Sequence, residues 1–147
     1  MKKADDSEIN YNLSISKIVV SYFLGILVFF ITTAILSFLI AIILGGMYSI
    51  PILRILVKAF FILRKDGPYL FTICTAQFLA SMITKHVVIL LNRNNIFQTN
   101  RALYGIGVTL IVLGFIFLIC NFFAGESVIA NIVMIIVGFF YRSTYKR

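Results

Sequence analysis

Between Lys17 and Arg54 the chain carries no charged side chain, and residues 18–44 are almost all apolar or small. About twenty such residues are enough for a helix to cross the hydrocarbon core of a bilayer. A water-soluble domain of 147 residues has no interior able to enclose a segment this long. Hydrophobic residues make up 61% of the chain and the mean hydropathy is +1.06, so the remainder repeats the message. The sequence is that of an integral membrane protein.

Charged residues mark the breaks between the other apolar runs. Uncharged stretches cover 67–84, 102–125 and 127–141. The chain reads as one all-α membrane domain over residues 1–147, with four transmembrane helices near 18–46, 68–91, 102–122 and 127–142. Barrel strands alternate polar and apolar residues over about ten positions, whereas these runs are continuously apolar. The first span is expected to persist as a helix, since its apolar run far exceeds the roughly 7–15 residues of a signal peptide. The acids before it, Asp5, Asp6 and Glu8, also do not suit a signal sequence.

Residues 52–65, ILRILVKAFFILRK, join the first and second spans. Arg54, Lys58 and Lys65 recur there at helical spacing among apolar residues, which predicts a short amphipathic helix lying in the membrane interface. Pro51 precedes it, and Gly67 and Pro68 separate it from the next span.

Orientation follows from the lysines and arginines. With both termini in the cytoplasm, Lys2, Lys3, Lys17, Lys85, Arg93, Arg101, Arg142, Lys146 and Arg147 lie inside, and Arg54, Lys58, Arg64 and Lys65 outside. The same placement accounts for the net charge of +8 without nucleic acid. The basic residues sit at span ends, where they reach anionic headgroups. No basic run is interleaved with aromatics as single-strand binding requires.

Helices in lipid associate through close contact of small residues and through polar contacts. Two ridges at i+4 spacing carry that signature: Thr33, Ser37, Ala41 and Gly45 in the first span, and Thr72, Ala76, Ala80 and Thr84 in the second. Beside the latter runs a polar row of Gln77, Ser81 and Lys85, which places the second span centrally. The last two spans, joined by a short turn around Ala124, Gly125 and Glu126, form an antiparallel hairpin; the third offers Gly105, Gly107 and Gly114, of which Gly107 and Gly114 share a face, and the fourth Ala130, Asn131 and Gly138. Small-residue ridges serve equally for helices of one chain, for a second copy, or for another membrane protein.

Polar and ionisable groups inside a membrane are candidates for function. Gln77, Ser81, Lys85 and Asn131 are the candidates here, with His86 beside Lys85. Arg54 and Lys58 in the first connector, and Arg93, Asn94, Asn95, Gln98 and Arg101 in the connector 92–101, are the candidate partner contacts. Cys74 and Cys120 fall at similar depth, as two thiols or one disulfide, and no C-x-x-C is present. No phosphate loop, nucleophile elbow or metal-spaced His, Cys and acid set is visible. Catalysis is not expected, nor a cofactor or metal. Asn12, Leu13 and Ser14 form a glycosylation sequon on the cytoplasmic side, where it is without consequence.

In size, four apolar spans, basic connectors and lack of catalytic groups, the chain resembles small bacterial inner-membrane exclusion and immunity proteins. These are the conjugal exclusion proteins of the TraS type and the immunity proteins against pore-forming colicins. The resemblance covers the whole chain as a format. It implies a non-catalytic protein of the bacterial inner membrane that binds an incoming membrane component and blocks passage of conjugative DNA or completion of a toxin pore. A small oligomeric transporter or channel for an anion or a lipid-linked substrate is the alternative, and an accessory subunit of a larger complex a third. The four-span plan is also similar to that of small multidrug transporters, but their first helix bears an acid and this one has none.

Overall fold

The computed structural model describes residues 3–60, 67–93, 95–125 and 127–145. Within them all regular structure is helical, as lipid demands of a chain that must satisfy its own backbone hydrogen bonds. The helices are α1 (Lys3–Ser49), α2 (Pro51–Phe60), α3 (Gly67–Leu91), α4 (Ile96–Ala124) and α5 (Ile129–Thr144). Three stretches are long and apolar enough to cross a membrane: Ile15–Ser49 within α1, Gly67–Leu91 and Ile96–Ala124. The apolar α5 is shorter, at 16 residues.

Boundaries differ from the sequence expectation where capping overrides hydropathy. Helix α1 continues well before residue 18, because no Gly or Pro interrupts the chain before Gly25. Helix α2 covers 51–60; Arg64, Lys65 and the rest of 61–66 lie outside the described residues. Pro51 opens α2 at the position where its missing N–H costs nothing. Arg54 Nε donates to Tyr48 O at 2.7 Å and closes the corner with α1.

The polar connector expected over 92–101 is shorter than that. Residues 96–101 are the opening turns of α4, because Asn95 is extended (φ −71°, ψ 102°) and its side chain accepts from Gln98 N at 3.2 Å. Gln98 and Thr99 are consequently buried in the bundle. Arg93 makes the turn out of α3 at φ 48°, in the left-handed region. Asn94 lies outside the described residues.

Helix α1 packs on α3 and α4, α5 packs on α4, and α3 and α5 meet side by side. The shared core contains Phe29, Ala80, Val88, Leu103, Ile106, Leu110, Met134 and Tyr141. Helix α3 touches α1, α4 and α5, yet α4 touches as many partners, so α3 is not uniquely central. The hairpin of α4 and α5 is closed by glycine. A Cβ on Gly107 would stand 2.7 Å from Gly138 O and 2.9 Å from Tyr141 Cβ, and one on Gly138 would stand 2.7 Å from Gly107 O.

The two small-residue ridges fare differently. Thr72, Ala76, Ala80 and Thr84 are all buried, because α3 has neighbours on several sides. On α1, Thr33 and Ser37 are half-buried, but Ala41 and Gly45 are exposed, and nothing lies within 4 Å of where a Gly45 Cβ would be. An i+4 row drifts around its helix by about 40° per step, since four residues exceed one turn of 3.6. The row therefore leaves the packed face as it climbs. Its continuation toward the N-terminus, through Gly25 and Ser21, is where α1 meets its neighbours most closely. A Cβ on Gly25 would come within 3.0 Å of Val88 and closer still to Ile106.

Gly107→Ala is expected to cost about 1–3 kcal/mol through overpacking. Gly45→Ala should be neutral or stabilise by about 0.5–1 kcal/mol. Thermal unfolding followed by circular dichroism in detergent compares the two; equal costs would mean that the α4 and α5 backbones do not touch.

Candidate functional site

The ends of the helices gather the charges. Lys17 of α1, Lys85 and His86 of α3, Arg93 after α3, Arg101 of α4 and Arg142 of α5 all lie toward one end of the bundle. The alignment follows from side-chain contacts between helices. Ser21 Oγ donates to Asn92 Oδ1 at 3.0 Å, Tyr22 OH lies 2.5 Å from Thr109 Oγ1, and Tyr141 OH donates to Ser81 O. Two of the cations rest on rings: Lys85 Nζ is 5.9 Å from the Tyr145 centroid and Arg101 Cζ is 4.5 Å from that of Phe97.

Two hollows open at this end. One, of about 590 Å³, lies between α1 and the turn joining α3 to α4, and Lys17, Ser21, Asn92, Arg93, Asn95 and Gln98 contribute to its wall. Asn92 is 4% exposed and donates from Nδ2 to Val88 O at 2.9 Å, so its amide is held rigidly while accepting from Ser21. The other, of about 310 Å³, is a crevice between α3 and α5, walled mainly by Phe78, Met82, Ile136, Val137 and Phe140, with Ser81, Lys85 and His86 as polar elements.

The four intramembrane polar candidates are divided by this arrangement. Ser81 and Lys85 share the crevice, and Ser81 Oγ is occupied by its own helix, donating to Phe78 O at 2.6 Å. Gln77 and Asn131 are buried and form no part of the crevice wall. Gln77 Oε1, Asn131 Nδ2, Thr84 Oγ1 and Thr99 Oγ1 are buried without a hydrogen-bond partner. Such groups are costly in an apolar setting, by roughly 1–3 kcal/mol each on mutational scales.

Of the partner-contact candidates, Arg54, Lys58, Arg93 and Arg101 are exposed, whereas Asn95 serves the α4 cap and Gln98 is buried. Cys74 and Cys120 are free thiols. Among the described residues no group of three or more His, Cys, Asp and Glu is placed to hold a metal ion. Sequence reasoning overlooked Ser21 and Gly25, and it read Asn92 only as the first residue of the connector 92–101. The i+4 row of Ser21, Gly25, Phe29 and Thr33 was visible, and it is the one that meets the other helices.

Compared with protein-family models, curated proteins and solved structures, the chain matches none of them.

Asn92→Ala is expected to destabilise by about 1–3 kcal/mol, because the buried Ser21 hydroxyl then loses its acceptor. A double-mutant cycle with Ser21→Ala, read from unfolding in detergent, should give a coupling of about 0.5–1.5 kcal/mol. Strict additivity would mean that the bond contributes nothing.

Proposed function

We propose that this protein is a non-catalytic protein of the bacterial inner membrane that acts by binding another membrane component laterally, in the manner of exclusion and immunity proteins. In this reading α5 is a fourth span. Its 16 residues give about 24 Å at 1.5 Å per residue, and Arg142 near its end reaches the headgroups by snorkelling. Helix α2 lies along the opposite interface, with Arg54 and Lys58 toward the headgroups. The basic end faces the cytoplasm, and both termini with it, as the excess of lysine and arginine favours.

The observation that carries this reading is the outward half of α1. Ala41 and Gly45 form the upper part of a small-residue row, and both are exposed. Around them Ile35, Phe38, Ile42 and Ile43 are each more than half exposed, at 53%, 68%, 55% and 61%. Small residues are valuable in lipid because they admit a second backbone. A helix of an arriving transfer or toxin component that docks on this row is held before it completes a channel, and no chemistry is needed.

Cells carrying the chain should show at least about a tenfold, challenger-specific drop in conjugal transfer or in colicin killing. Gly45→Leu and Ala41→Leu should abolish that drop while leaving the amount of protein in the membrane unchanged. No protection against any conjugative plasmid or pore-forming colicin would reject the proposal.

The crevice between α3 and α5 favours a second reading, a small transporter for an anion or a lipid-linked substrate. Its apolar walls and single lysine suit an amphiphile with one negative charge. Lys85→Met should then eliminate substrate flux into proteoliposomes, and unchanged flux would exclude it.

A further inference from the structure

We infer that the hollow between α1 and the turn joining α3 to α4 binds the phosphodiester headgroup of an anionic phospholipid. At about 590 Å³ it falls within the range of small-molecule sites. Lys17 and Arg93 stand exposed at its rim, seventy-six positions apart in sequence, brought together because α1 and α3 run antiparallel and are tied at Ser21 and Asn92. A guanidinium can grip two phosphate oxygens at once, and an ammonium adds a point charge beside it.

The polar floor is fixed in advance. Asn92 is held by Val88 O and by the Ser21 hydroxyl, and its amide has a second hydrogen to give. Asn95 lines the same hollow and caps α4, so the positive end of that helix dipole lies on this side as well. Among the described residues that line the hollow, none is acidic. In α1, Glu8 stands nine residues before Lys17, about 14 Å along the axis.

A lipid, and not a soluble anion, is indicated by what adjoins the polar floor. Val20 and Leu91 belong to the wall and are 51% and 42% exposed, and they lead from the hollow onto the apolar flanks of α1 and α3. A ligand that fills the hollow with a charged head and lays acyl chains along those flanks matches both surfaces. The binding is independent of what the outward half of α1 recognises.

The test uses the full chain in phosphatidylcholine nanodiscs containing a minor fraction of phosphatidylglycerol, with protein-bound lipid read by native mass spectrometry. Wild type should retain phosphatidylglycerol over phosphatidylcholine by about tenfold relative to the bulk ratio. Lys17→Gln with Arg93→Asn should bring that preference to about unity; asparagine is chosen because it tolerates the left-handed backbone at 93. Lys17→Arg should keep the preference, which separates loss of charge from loss of folding. Arg101→Gln with Arg142→Gln, at the same end but outside the hollow, should also keep it. Loss of preference in that control pair would assign the attraction to the basic end as a whole and overturn the site. So would wild type without preference, or preference abolished by millimolar glycerol 3-phosphate, which would make the site one for a soluble anion.

Discussion

The contact of backbone with backbone at Gly107 and Gly138 is the constraint on which the bundle depends. Lipid offers helices no hydrophobic reason to associate, so close approach must supply the attraction through dispersion and polar contact. Two glycines at one level allow α4 and α5 to come so near that a single methyl on either would meet a carbonyl oxygen. With α5 held there, Tyr141 is carried to Ser81 and Tyr145 to Lys85, and the crevice beside α3 acquires its walls. At the other side of α4, Gly105 accepts the ring of Tyr22, and Gly25 admits Ile106 and Val88. Glycine thus sets the spacing on both flanks of α4, and the polar contacts then fix the vertical alignment.

Much of this architecture was legible in the sequence, since unbroken apolar runs in lipid leave little choice but helix. Hydropathy placed three long helices within a few residues of their far ends. It failed at boundaries set by local chemistry. Asn95 starts α4 by accepting from Gln98 N, and a run of polar residues after it masked the helix as a loop. The acidic N-terminal residues were read as lying ahead of the helix, although no breaker separates them from it.

The polar groups were harder to assign. A row at i+4 spacing shows that small or polar side chains share a face, but not which length of that face is covered. On α1 the covered length is the part near Ser21 and Gly25, and the exposed length is the part near Ala41 and Gly45. That difference depends on where the other helices begin and end, which is a property of the assembly of spans. For the same reason Lys17 and Arg93 gave no sign in sequence of sharing a hollow, because the contact arises only from antiparallel pairing of α1 and α3.

The unbroken run of α1 has a mechanical consequence. Its apolar stretch of 35 residues extends about 52 Å, against a hydrocarbon core near 30 Å thick. Such an excess is relieved by tilting, by local thickening of the bilayer, or by association with another apolar surface, at a modest cost per ångström. Because α1 is locked to α3 and α4 around Ser21 and Gly25, it cannot lean alone, and any tilt is shared with the rest of the bundle. The excess length of α1 therefore acts on the whole bundle, and the tilt that relieves it also sets the reach of the outer corner.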